Sequence, residues 1–213
     1  SFDAYITSMV KWAHSAKEMG FRAAKLETTF SGPYANMGIR EDDEKMTEVI
    51  RAVRNAVGPD FTLMVDVQYA FDSVDRAIKT INTWQEFDLF FVETPLWVDD
   101  LEGLSKLVAA TPIKIASGEW LSTRYEFSDL IKYGNVGVVQ PDIGRVGGLS
   151  EARNVCNMAK ENNKILDTHL GSGSIALACH NLGYDLTACE LDTEYYNAAM
   201  KRLKEHQQQL TMF

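Results

Sequence analysis

Three acidic residues stand at an almost constant interval along this chain, and each closes a short apolar run. Asp66 ends LMVD, Glu93 ends FFVE and Glu119 follows KIASG, so the acids are 27 and 26 residues apart. A helical pattern follows each acid, and one strand with its helix and turns occupies about 25 residues. The interval therefore predicts consecutive βα units, whose parallel strands deliver the three carboxylates to one rim of the sheet.

A cluster of three carboxylates predicts a bound cation. Like charges at short range repel strongly, and a cation between them removes that cost. Oxygen ligands of this kind suit Mg²⁺ or Mn²⁺ and do not suit zinc. The sequence thus predicts a divalent metal site formed by Asp66, Glu93 and Glu119.

The alternation of strand and helix continues along the whole chain. We predict strands at about 22–27, 62–67, 89–93, 113–117, 136–140, 164–168 and 185–190. Helices are predicted at about 4–19, 42–57, 74–87, 101–109, 124–133, 149–162, 174–182 and 194–207. This pattern favours an α/β fold of the (β/α)₈-barrel type. A closed barrel needs eight strands, so we expect the first strand to be missing; an open doubly wound sheet is the alternative.

Composition excludes several classes of function. The net charge of −9 and a pI near 4.9 argue against a protein whose main surface binds nucleic acid phosphates. No apolar stretch approaches about 18 residues, so we expect no membrane span. The three cysteines have no metal-type spacing and are expected to be reduced thiols of a cytoplasmic protein. Whether the chain forms a homo-oligomer is left open by the sequence.

Four segments carry a resemblance to a known family. ETPL and ASGEW surround the second and third predicted ligands, and VQPDIGRVGG and KILDTHL follow. Over about residues 1–166 the chain resembles the enolase superfamily, in particular its mandelate racemase-like acid-sugar dehydratases and racemases. The resemblance implies Asp66, Glu93 and Glu119 as metal ligands and a dyad of Asp142 and His169. It also implies an N-terminal capping domain, which we expect to be missing here together with the first strand.

The same resemblance implies a reaction. The substrate would be a sugar acid that loses the proton α to its carboxylate, with Mg²⁺ stabilising the resulting charge. Lys25 stands on the second barrel strand as one candidate base, while Glu27 takes the place of a lysine found in many relatives. Glu27 either serves as the base or adds charge to the metal site. Arg145 either binds a substrate carboxylate or pairs with a neighbouring acid.

The last fifty residues carry a second resemblance. DTHLGSGS and CELDTEYY look like the C-terminal end of a DNA adenine methyltransferase, over about residues 164–213. That resemblance implies an S-adenosylmethionine site formed by Asp167, Gly171, Gly173 and Glu190. The Asp/Asn-Pro-Pro-aromatic loop of such enzymes does not occur in the sequence, so we do not expect methyl transfer.

Two resemblances in one chain suggest a chimera. The predicted domains are then a partial enolase-superfamily barrel at 1–163 and a methyltransferase-like βαβα segment at 164–213, which completes or abuts the barrel. Glu190 would end the eighth strand and face the substrate. The alternative is a single barrel of one origin, in which the sequence of the last two βα units has diverged. Three functions remain open: a Mg²⁺-dependent acid-sugar enzyme, a non-catalytic remnant that binds S-adenosylmethionine, and an inactive scaffold.

Overall fold

The computed structural model describes residues 2–28, 42–160, 164–167, 187–188 and 193–210, with side chains for 2–28, 42–160 and 197–205. None of the described helices is long and apolar enough to cross a membrane.

The described chain alternates helix and strand, as the sequence predicts. The strands are β1 (Ala23–Glu27), β2 (Thr62–Asp66), β3 (Leu89–Glu93), β4 (Lys114–Ser117), β5 (Val138–Val139), β6 (Lys164–Asp167) and β7 (Thr187–Ala188). The helices are α1 (Phe2–Glu18), α2 (Asp43–Val57), α3 (Val74–Thr83), α4 (Leu101–Ala110), α5 (Arg124–Asp129), α6 (Leu149–Lys160) and α7 (Thr193–Leu210). The paired strands are parallel. An α/β fold with parallel strands is therefore confirmed, whereas the incomplete barrel stays a prediction.

The chain divides into two compact units. The first comprises Ser1–Ser117 and Tyr133–Gly137, and the second comprises Gly118–Lys132 and Val138–Phe213. This division does not test the domain boundary expected near residue 164, which stays a prediction.

In the first unit, β1 to β4 pair in chain order. Every residue of β2 except Thr62 is buried, which is typical of a parallel sheet covered on both faces. Helix α2 presents an apolar stripe at helical spacing that includes Met46, Ile50, Val53 and Val57, all fully buried.

The ends of α2 follow from local chemistry. The Asp42 side chain accepts hydrogen bonds from two main-chain N–H groups of the first turn, and this lowers the pKa of Asp42. At the other end Gly58 has a φ of 78°, a conformation that glycine adopts without steric cost. Arg54 stabilises the same end of α2. Its guanidinium donates hydrogen bonds to four main-chain carbonyls, among them Phe61 O at 2.7 Å.

The second unit contains β5, β6 and β7, which pair in that order. Helix α5 begins with a capping box, in which Thr123 and Glu126 each accept a hydrogen bond from the main chain of the other. Helix α6 buries one face of small and apolar side chains, namely Ala152, Val155, Cys156 and Ala159.

Three elements within residues 42–160 are shorter than predicted by three residues or more. The helix predicted at 74–87 ends at Thr83, and a 3₁₀ turn over Trp84–Phe87 follows it. The helix predicted at 124–133 ends at Asp129, before a π-helical turn. Strand β5 has two residues where five were predicted, and Pro141, which has no main-chain N–H to donate, follows it closely. The helix predicted at 174–182 lies outside the described residues.

Candidate active site

Three acids end three neighbouring strands in register. Glu27 pairs with Asp66, and Asp66 pairs with Glu93, so the last residues of β1, β2 and β3 stand side by side. Alternate residues of a strand face the same side, which places Lys25 on the face of Glu27. The Tyr5 hydroxyl donates to the main-chain oxygen of Glu27 at 2.8 Å and anchors the end of β1.

Lys25 joins two of the predicted metal ligands. Its Nζ lies 2.6 Å from Glu93 Oε1 and 3.3 Å from Asp66 Oδ2. The Glu93 side chain is fully buried, and those of Asp66 and Lys25 are 11% and 14% exposed. Burial by itself would lower the pKa of Lys25, but the charges of Glu93 and Asp66 outweigh it and raise the pKa. Lys25 is therefore held in its ammonium form.

The other oxygen of Asp66 is bound separately. Thr94 Oγ1 and the main-chain N–H of Gln68 both donate to Asp66 Oδ1, each at 2.9 Å. The two carboxylate oxygens of Asp66 consequently have different partners, Oδ2 facing Lys25 and Oδ1 facing Thr94 and Gln68.

The third predicted ligand, Glu119, belongs to the second unit and is partly exposed. It follows Gly118, whose φ is 117°. A Cβ on Gly118 would lie 2.7 Å from the ring of Phe127, so no other residue fits at this turn without a shift.

The predicted substrate and dyad residues of the second unit lie in the loop after β5. Asp142 Oδ1 accepts from the main-chain N–H of Gly144 at 2.7 Å, and Asp142 Oδ2 lies 3.9 Å from Arg145 Nε. The guanidinium of Arg145 lies 4.0 Å from the ring centre of Trp120. Arg145 thus pairs with the neighbouring acid, and its half-exposed side chain keeps donors available to a ligand.

Several predicted site residues fall on parts of the chain that the structure does not describe. Asp167 ends β6, one residue before the predicted end of this strand, and its side chain lies outside the described residues. His169, Gly171, Gly173 and Glu190 lie outside them altogether. Their roles stay predictions.

The predicted metal ligands can be compared with the oxygen ligands that a divalent cation requires. Within the described part of the chain, no three His, Cys, Asp or Glu side chains form a group that could hold a metal ion. Asp66 and Glu93 do lie together, however, and already hold one positive charge in a buried place. These two acids supply carboxylate oxygens, which are the ligand type that Mg²⁺ prefers. The complete three-carboxylate centre stays a prediction.

Sequence reasoning missed two features of this rim. One is Thr94, whose contact with Asp66 has no sequence signal because the residues are 28 positions apart. The other is the stacking of Tyr69 on Trp97, with ring centres 4.5 Å apart, beside a cavity of about 490 Å³. The sequence signal that could have found the second is an aromatic residue shortly after a strand end, as Trp97 is after Glu93.

Comparison with known proteins decides the family. The profile of the family described as "Enolase C-terminal domain-like" matches residues 8–209. The chain belongs to this family.

Relatives within this family are acid-sugar enzymes and racemases. The chain is 33% identical over 150 residues to a 3,6-anhydro-alpha-L-galactonate cycloisomerase of Streptomyces coelicolor, covering 70% of this chain and 38% of that protein. It is 36% identical over 129 residues to an L-talarate/galactarate dehydratase of Salmonella typhimurium, covering 61% and 31%. A crystal structure of a racemase from Streptomyces coelicolor A3(2) with bound magnesium has a TM-score of 0.72 and 28% identity, covering 81% of this chain and 49% of that one. The chain therefore spans a third to a half of the length of these relatives.

The family match also bears on the second resemblance. It runs through residues 164–209, the segment in which we expected a methyltransferase-like piece. The enolase-like resemblance is thus confirmed, whereas the chimera and its S-adenosylmethionine site receive no support from the matching family or relatives.

Proposed function

We propose that this chain carries the metal and proton-transfer site of an acid-sugar enzyme that removes the proton α to a carboxylate. Dehydration, epimerisation and cycloisomerisation all begin with that step. The observation that supports it best is the in-register row of Glu27, Asp66 and Glu93, with Lys25 bound to two of them.

Asp66, Glu93 and Glu119 are proposed to hold Mg²⁺. When bound, the cation would stabilise the negative charge that develops on the substrate carboxylate. The protein contributes two acids fixed at adjacent strand ends, a geometry that β2 and β3 set through their main-chain pairing. A magnesium-bound relative of the same fold supports this choice of metal.

Lys25 and Glu27 are proposed to move the proton on one face of the substrate. They share one face of β1. The charges of Glu93 and Asp66 raise the pKa of Lys25, so its ammonium is protonated at neutral pH, and Glu27 is the candidate proton acceptor on this face. His169, oriented by Asp142, is proposed to serve the opposite face.

Arg145 is proposed to bind a carboxylate of the substrate. Its guanidinium lies against the Trp120 ring, and this contact holds the planar group in place while leaving N–H donors at its edge. Two of the relatives are a 3,6-anhydro-alpha-L-galactonate cycloisomerase and an L-talarate/galactarate dehydratase, so a sugar acid is the substrate class we propose for this chain. Glu190 is proposed to contact the substrate hydroxyls.

Exchange of the α-proton tests the proposal directly. The chain is incubated in D₂O with Mg²⁺ and a panel of aldonic and aldaric acids, and deuterium at C2 is followed by NMR. We expect incorporation with at least one acid, which a chelator abolishes. Glu93→Gln should abolish it, whereas Glu102→Gln, which changes an exposed carboxylate paired with Lys106 on α4, should not. Absence of exchange in a chain that calorimetry shows to bind both Mg²⁺ and a sugar acid would refute the proposal.

A further inference from the structure

We infer that Thr94 is a positioning residue that sets the orientation of the Asp66 carboxylate for metal binding. The inference rests on the proposed function, because it assigns Thr94 a task only if Asp66 is a ligand. Thr94 is fully buried, follows one proposed ligand, Glu93, directly in the sequence, and is hydrogen-bonded to the other, Asp66.

The hydrogen bonds at Asp66 carry the inference. Thr94 Oγ1 and Gln68 N both donate to Oδ1, while Oδ2 faces Lys25 Nζ. Two donors on one oxygen fix the rotation of the carboxylate about its Cβ–Cγ bond. The other oxygen is left directed toward the positive charge. A carboxylate held in this way loses little freedom when it coordinates a cation.

The main chain of Thr94 is held as firmly as its side chain. Its φ is 47°, a region that β-branched residues avoid. The Thr94 N–H donates to Ala116 O at 2.9 Å, and the Thr94 carbonyl accepts from Tyr69 N at 2.7 Å. A residue keeps such a strained backbone conformation only where several contacts with its surroundings hold it there. Here they direct the hydroxyl toward the side chain of a residue on the neighbouring strand.

A nearby threonine separates positioning from ordinary packing. Thr28 is also fully buried, but its hydroxyl lies 3.4 Å from the main-chain oxygen of Asp66 and does not reach the carboxylate. Thr28→Val therefore removes a buried hydroxyl beside Asp66 without changing how the carboxylate is held. A purely structural role for Thr94 predicts that both valine variants behave alike.

The test is Mg²⁺ titration of the chain by isothermal calorimetry, with unfolding temperature measured in chelator as the readout of folding. We expect Thr94→Val to bind Mg²⁺ about 10–100-fold more weakly than wild type, the range typical of lost hydrogen bonds to metal ligands. Thr94→Ser, which keeps the hydroxyl, should restore the affinity. Thr28→Val should bind as wild type does. Thr94→Ala provides the same comparison if the valine variant does not fold.

The outcomes are distinct. If wild type binds Mg²⁺ and Thr94→Val or Thr94→Ala binds it equally well, the inference is wrong and the proposed function stands. Equal weakening by Thr28→Val would also overturn the inference, because it would show a general effect of packing. If wild type binds no Mg²⁺ at all, the proposed function fails first, and the inference fails with it.

Discussion

Lys25→Met isolates the electrostatics of the candidate site. Lys25 is the positive partner of Asp66 and Glu93, at 3.3 and 2.6 Å, and its side chain is 14% exposed. Methionine keeps most of the length and apolar contact of the lysine stem while removing the charge. The substitution therefore leaves two carboxylates facing each other in a buried place.

The size of the effect follows from burial and distance. At an effective dielectric constant of about 20, opposite charges 2.6 Å apart attract by about 6 kcal/mol. The cost of removing the charged groups from water cancels much of that attraction. Removing one partner of a buried pair nevertheless costs about 3–5 kcal/mol, because the remaining charge stays buried without compensation. We expect a loss of this size in the free energy of unfolding of Lys25→Met in chelator.

Magnesium should reverse part of the loss. A ligand that binds only the folded state adds about 2.7 kcal/mol at a concentration 100 times its dissociation constant. Urea unfolding followed by circular dichroism, with chelator and with Mg²⁺, measures both effects. Lys106→Met is the matched control, since Lys106 forms an exposed ion pair with Glu102 and its loss should leave stability unchanged. A loss below about 1 kcal/mol for Lys25→Met would refute the buried ion pair.

Two further predictions concern pH and helix capping. Burial, and then the charge of Glu27, raise the pKa of Tyr5 above its ordinary value of 10.0, so the stability that its neutral form contributes is present below pH 10 and is lost as pH rises further. The urea concentration at the unfolding midpoint should decrease above pH 10 for wild type and decrease less for Tyr5→Phe. An equal decrease with pH in both proteins would contradict this. Thr123→Ala removes the cap of α5 and should cost about 0.5–2 kcal/mol, with Thr123→Ser restoring it. Hydrogen bonds from Thr123 and the main chain lower the pKa of Glu126, so the cap should weaken as pH falls below 4.5.

The sequence was sufficient to predict the strands that carry the site. Runs such as LMVD and LFFVE are apolar, short and bounded by turn residues, and each became a buried parallel strand that ends on its acid. Because these strands pair in register, the prediction that Asp66 and Glu93 meet at one rim required only the length of the βα repeat.

The details of the site could not be predicted in this way. The sequence allows Lys25 either to face solvent or to bind an acid, and only the packing of β1 against β2 brings its Nζ to both Asp66 and Glu93. The early end of α3 has a similar cause. Trp84 is fully buried and donates to the hydroxyl of Thr47 on α2, so tertiary contacts outweigh the helical pattern that continues to Phe87.

Backbone strain marks the same rim independently of any resemblance. Among the residues that the structure describes, five non-glycine residues have positive φ: Gln68, Tyr69, Asp88, Thr94 and Asn135. Asp and Asn tolerate this conformation, because their short polar side chains can hydrogen-bond locally. The remaining three are Gln68, Tyr69 and Thr94, and all of them lie within three residues after the strand ends that carry Asp66 and Glu93. Strain of this kind costs on the order of 1–3 kcal/mol per residue. Within the described part of the chain, this strain at residues other than Asp and Asn occurs only in the loops that follow β2 and β3. This location indicates that the cost in stability is linked to the placement of the two acids at the ends of those strands.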